Sequence, residues 1–178
     1  LNGTLDNTYA TVVENLSNYI GVARYDLGLS VTVTSIKLPD NKILSVNITE
    51  TGIEIVKYTT AGVLDKNFGL LGVAFISVGT ASIPTGIAID SRNNIYIIGS
   101  VDYSNSFIFC LKPNGAINEN FFSTGIKIFG TESKAIDLVI SVNDSIAILN
   151  KTTSGTTITK IKNISVKNKS WFGYFSTN

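Results

Sequence analysis

PTGIAIDSRNNIYIIGSVDYSNSFIFCLKPNGAINENFFSTG, residues 84–125, decides the fold, because its pattern recurs on both sides at a near-constant spacing. Aligning the apolar alternations places Ile36, Ile87 and Leu138 in register, and the interval is 51 residues both times. Each opens a short strand pattern (IKL, IAI, LVI) that runs into a polar turn at 39–42, 90–94 or 141–145. A second alternating strand is predicted at 43–46, 95–98 and 146–149, and a third at 53–58, 107–111 and 158–161. An outer strand closes each unit, at 73–77, 125–129 and 171–175. A fixed period of this length marks tandem supersecondary units, none of which can bury its apolar faces alone.

Between the third and outer strands lies the most specific local signal: a glycine, an aliphatic residue two on, an Asx three on and an aromatic six on. Gly62, Leu64, Asp65 and Phe68 fit it, as do Gly115, Ile117, Asn118 and Phe121. Gly3, Leu5, Asp6 and Tyr9 repeat it near the start, while Asn168 and Trp171 keep only its last two positions. Glycine supplies a positive φ at the apex. The Asx oxygen accepts from a backbone N–H two or three residues on, and the aromatic turns back as a plug into the core. The expected role of all these residues is structural.

The predicted fold is therefore all-β, built of tandem four-stranded antiparallel modules of about 51 residues. Residues 1–34 read as the end of a preceding module plus irregular strands, followed by modules at 35–79, 80–130 and 131–178, the last degenerate. No stretch has sustained helical spacing, and strands such as IYIIG and FIFCL are apolar on both faces, so neighbouring modules must cover them. With 44% hydrophobic residues the chain has ample material for a core. A net charge of +1 with 15% charged residues lacks the footprint of a nucleic-acid binder, and the apolar runs are too short for a membrane span. The chain starts at Leu1 in mid-motif and lacks methionine, which suggests a piece of a longer protein.

Chemistry is sparse. There is no histidine, so Cys110, flanked by Phe109 and Leu111, reads as a buried filler rather than a nucleophile. The carboxylates are scattered; Asp40 and Asp90 fall in matching turns, where local backbone donors are their ordinary partners. Residues 90–94 fail as a calcium loop because Arg92 stands where an oxygen ligand is needed. No cofactor, metal or catalytic residue is expected, and the chain reads as a non-enzyme. The best candidate for holding a sugar is Tyr103 with Asp102 and Asn105, an aromatic beside polar groups in the loop between the second and third strands of the central module. Seven N-x-S/T sequons, at Asn2, Asn15, Asn47, Asn143, Asn150, Asn163 and Asn168, permit glycosylation.

Asp40 to Leu44 (DNKIL), Lys57-Tyr58, Gly62 to Gly69 (GVLDKNFG) and Gly72 together resemble the delta-60 repeat, a β-propeller-type repeat, and residues 84–90 and 93–99 are similar to it and to related propeller repeats. Phe122 departs from it, standing where the family prefers glycine, as do Ala10 and Ser165, the latter at the last apex. The resemblance implies a partial propeller and a structural or adhesive role in protein–protein assembly, on a cell surface, a virion or otherwise outside the cell. The expected partners are further copies or the remainder of a longer chain. A sugar-binding propeller with surface glycans as partners is the alternative.

Overall fold

The computed structural model describes residues 31–79, 81–102, 104–130 and 132–162, and among these every regular element is a strand. The first sheet runs β1 (Val31–Lys37), β2 (Ile43–Ile48), β3 (Ile53–Tyr58) and β4 (Val73–Ile76). The second runs β5 (Ile83–Ile89), β6 (Ile95–Val101), β7 (Asn105–Leu111) and β8 (Ile126–Phe129), and the third β9 (Lys134–Ile140), β10 (Ile146–Thr152) and β11 (Gly155–Ile161). All pairings are antiparallel between strands consecutive in sequence, so each sheet is a meander. The outer strand expected at 171–175 lies outside the described residues.

Consecutive sheets pack face to face, with β1 against β5 and β5 against β9, the succession of blades in a partial propeller. The two-sided apolar strands of the centre explain why. On β6 and β7, Ile95, Ile97, Phe107, Phe109 and Leu111 join a core with Leu44, Val46, Ile53 and Ile55 of the first sheet. The alternate residues Tyr96, Ile98, Ile108 and Cys110 join a second core with Leu138, Ile146, Ile148 and Ile161 of the third. A period of two thus feeds two cores from one pair of strands.

Three corrections to the sequence reading follow. β1 begins at Val31, four residues before the boundary set at Ser35, so part of the stretch read as irregular is first strand. The first and second modules are offset by one residue from the expected register. Ile87 pairs with Ile97, and the residue matching it in the first sheet is Ser35, which pairs with Ser45; Ile36 pairs with Leu44 on the opposite face. A one-residue slip exchanges faces, and here both isoleucines still reach the same core because they approach it from facing sheets. Asp40 and Asp90 are consequently not equivalent: Asp90 matches Leu38, and Asp40 matches Arg92.

Each first strand also carries an irregularity at the same place, at Val33 in β1, Thr85 in β5 and Ile136 in β9. Such bulges bend and twist a strand locally. At the second, Thr85 donates its hydroxyl to the Ala135 carbonyl of the next module at 2.9 Å. At the rim of the same seam, Ser106 Oγ donates to Ser133 O at 2.6 Å.

Candidate functional site

The glycine-to-aromatic turns repeat bond for bond. In the first module Thr59 N donates to Val63 O, Gly62 N to Thr59 O, Asp65 N to Lys57 O, Phe68 N to Asp65 O, Gly72 N to Phe68 O and Lys57 N to Gly72 O. In the second, Lys112, Gly115, Asn118, Phe121, Gly125 and Cys110 donate to Ala116, Lys112, Cys110, Asn118, Phe121 and Gly125 in the same pattern. Gly62 and Gly115 hold φ of 76° and 86°, as the apex requires.

The turns also join modules. Gly69 N donates to Asn114 O at 2.8 Å, and a Cβ on Gly115 would stand 3.1 Å from the Phe68 ring. Phe68 is fully buried beneath the next module's apex. Phe121, expected to be an equal plug, is only half-buried, lying edge-on to Tyr96 at 5.4 Å and to Phe122 at 4.7 Å. The apex that would match it, Ser165, lies outside the described residues. Phe122 holds the left-handed φ of its counterpart, 49° against 53° at Gly69, and the turns then diverge, with Leu71 left-handed in one and Ser123 in the other.

The Asx positions differ in chemistry. Asp65 accepts from Lys42 Nζ at 2.9 Å and from Asn67 N at 3.3 Å, with Lys57 Nζ at 3.9 Å. The hydrogen bond from Lys42 is the main cause that holds its carboxyl below the usual range, with the Asn67 amide and the two ammonium charges adding to it against the opposing cost of burial. A lowered folded pKa gives stability that is complete above the unfolded value of about 3.9 and disappears as pH falls through the folded one. Asp65→Asn is expected to cost about 1.5–3 kcal/mol at about pH 7, the worth of a charged hydrogen bond, and less at about pH 3. Urea unfolding of both proteins at the two pH values checks this. In the second module the same three positions are Asn94, Asn118 and Cys110: the Asn118 amide reaches Asn94 Oδ1 at 3.5 Å and Cys110 Sγ at 3.6 Å. Cys110 is buried, which pushes its thiol up to about 11.

A cleft of 310 Å³ opens between the second and third modules at the turn end, lined by Asp90, Arg92, Asn94, Tyr96, Lys112, Asn118, Asn120, Phe121, Asp144, Ile146, Ile161 and Lys162. Asp90 is its fixed point. Its Oδ1 accepts from Arg92 N at 2.9 Å and Asn94 N at 2.8 Å, its Oδ2 from Asn94 Nδ2 at 2.8 Å and Tyr96 Oη at 3.1 Å. Burial, with the neighbouring Cys110 and Asp90, raises the Tyr96 hydroxyl far above its ordinary pKa, so it donates as a neutral phenol. Across the seam Asp144 accepts from Ser91 N at 2.8 Å and Ser91 Oγ at 2.6 Å.

Of the sugar-contact residues expected at Asp102, Tyr103 and Asn105, Asp102 and Asn105 lie at the opposite end of the sheets. Asp102 takes a left-handed φ of 51° in a tight hairpin, and Asn105 is not a loop residue but the first of β7, paired with Val101; Tyr103 lies outside the described residues. The cleft was missed because its walls come from turns and strands of two modules, and the register error concealed that Arg92 replaces Asp40. Of the sequons, Asn47 and Asn150 are buried strand residues and Asn143 is exposed in the β9–β10 turn, where it accepts from Ser145 N; the other four lie outside the described residues. Among the described residues no cluster of His, Cys, Asp and Glu fit for a metal occurs, and no helix is long and apolar enough to cross a membrane.

A family model described as a β-propeller repeat (SBBP) matches residues 70–100, from the end of the first module's turn through β4, β5 and most of β6. It supports a β-propeller-type repeat across the junction of two sheets. Among curated proteins no match is found.

Proposed function

Since residues 70–100 match a β-propeller-type repeat, we propose that this chain is a non-catalytic module of a delta-60-like array, acting in protein–protein assembly on a cell or particle surface. One observation carries the reading. The face of the second sheet that meets the third buries Ile108 completely, yet the matching residue of the third sheet, Ile158, is 52% exposed, and Val139, matching Ala88, is 62% exposed. The partner that fits this face is another module with an apolar back, like that of β6 and β7. The back of the first sheet does not serve, since Ser45, Asn47 and Val56 on it are already buried, and polar groups lie among them, with Ser45 Oγ and Glu54 Oε2 lacking a hydrogen bond. Burial raises the Glu54 carboxyl above its ordinary pKa, a further cost to covering it with hydrocarbon. The non-catalytic part of the reading is supported by Asp90, whose oxygens are occupied by four donors, and by the buried, raised Cys110 thiol.

Sedimentation velocity tests it. The chain is expected to associate as concentration rises, and Val139→Lys with Ile158→Lys to abolish association without lowering the melting temperature. Association unchanged in the double variant would remove the third sheet's face as the contact.

A further inference from the structure

The two module junctions are built alike and finished differently. Between the first and second modules the seam holds a 200 Å³ space lined by Leu38, Pro39, Asp40, Lys57, Asn93, Ile95 and Pro113. The charges beside it are neutralised internally, since Asp65 bridges Lys42 and Lys57 and Asp40 lies 3.8 Å from Lys42. Between the second and third modules Asp90 replaces Leu38, Arg92 replaces Asp40, and Asn94, Asn118 and Cys110 replace the ion-paired trio, around the larger cleft of 310 Å³. The first junction shows that the fold needs none of these changes.

What they leave uncommitted is a set of donors beside an aromatic ring. Both carboxylates of the cleft are already engaged, Asp90 by four donors and Asp144 by Ser91. Arg92 and Lys112 are exposed, and neither forms an ion pair or a side-chain hydrogen bond among the described residues, although the hydrogen bonds from Ser91, helped by the nearby Arg92 charge, hold the Asp144 carboxyl below its ordinary pKa. Asn120 adds an amide, while the Asn94 amide is already bonded to Asp90 and the Asn118 amide to Asn94 and Cys110, and Phe121, partly buried and held edge-on by Tyr96 and Phe122, lines the cleft with the remainder of its ring. Cations select an anion, amides serve hydroxyl groups, and an aromatic face suits the C–H face of a sugar ring. The volume is at the small end of ligand pockets, about 300–1,000 Å³, which is room for one ring.

We propose that the cleft between the second and third modules binds an acidic sugar residue, its carboxylate held by Arg92 and Lys112 and its ring laid on Phe121. This places glycan recognition at the turn end of the sheets rather than at the Asp102 hairpin, and it does not depend on the exposed face of the third sheet.

Titration calorimetry with glucuronate, glucose and acetate at constant ionic strength tests the proposal. Glucuronate is expected to bind saturably, and glucose about tenfold or more weaker, the worth of a charged hydrogen bond. Arg92→Ala with Lys112→Ala should bring glucuronate down to the level of glucose. Both side chains are exposed, so the circular dichroism and melting of that variant should match the parent. Phe121→Leu should weaken glucuronate and glucose alike while keeping an apolar side chain in the turn. Absence of saturable glucuronate binding, equal affinity for glucose, or binding that survives the double variant would each overturn the proposal. None of these results bears on sedimentation of the Val139→Lys, Ile158→Lys protein, so the two readings fail separately.

Discussion

Phe68→Ala is expected to lower stability by about 3–5 kcal/mol, the cost of emptying a packed aromatic site. Phe68 is 1% exposed. Its ring lies beneath Gly115 of the next module, within 5.6 Å of Lys57 Nζ, and belongs to the core shared by the first and second sheets. Phe121→Ala, at the same motif position, should cost measurably less, because its ring is only partly buried and the hydrophobic loss scales with area removed from solvent. Urea unfolding of the two variants measures the difference. Equal losses would mean that the turn, and not the cover given by the following module, sets the worth of the plug.

Gly115→Ala is expected to cost about 2–5 kcal/mol, a large effect for one methyl group. Two penalties add. A non-glycine residue held left-handed costs about 1–2 kcal/mol, and φ at this position is 86°. The new Cβ would also stand 2.8 Å from Gly69 N and 3.1 Å from the Phe68 ring, where overpacking costs about 1–3 kcal/mol. In a Phe68→Ala background the ring contact is gone, so the penalty should shrink toward the conformational part. An unchanged penalty in that background would show that Gly115 serves its own turn alone and does not seat the preceding module's plug.

Much of this architecture was legible because strands announce themselves by alternation. β3 was placed to the residue, and IYIIG and FIFCL foretold the cover on both faces that the two cores supply. The glycine-to-aromatic turns were legible for a different reason: their backbone needs a glycine and an Asx at fixed offsets, and six matching hydrogen bonds follow. The register was not legible. Ile36 and Ile87 are both apolar and both reach one core from facing sheets, so alternation alone aligns them one residue wrong. The bulges at Val33, Thr85 and Ile136 all fall on β-branched residues, but such residues fill the strands throughout, so nothing in the sequence marks these three; a bulge is a property of pairing. The cleft was hidden for both reasons together, being lined by side chains of two modules whose equivalences depend on that register.

The central claim is that each module is completed by neighbours on both faces and that the third sheet presents one face uncovered. Residue-resolved amide hydrogen exchange tests it most directly, comparing β6 with β10, each paired to a strand on both sides. At low protein concentration β6 amides are expected to exchange only through global unfolding and β10 amides faster, through local opening. Raising the concentration should slow β10 while leaving β6 unchanged. Equal protection of the two strands at every concentration would contradict the claim.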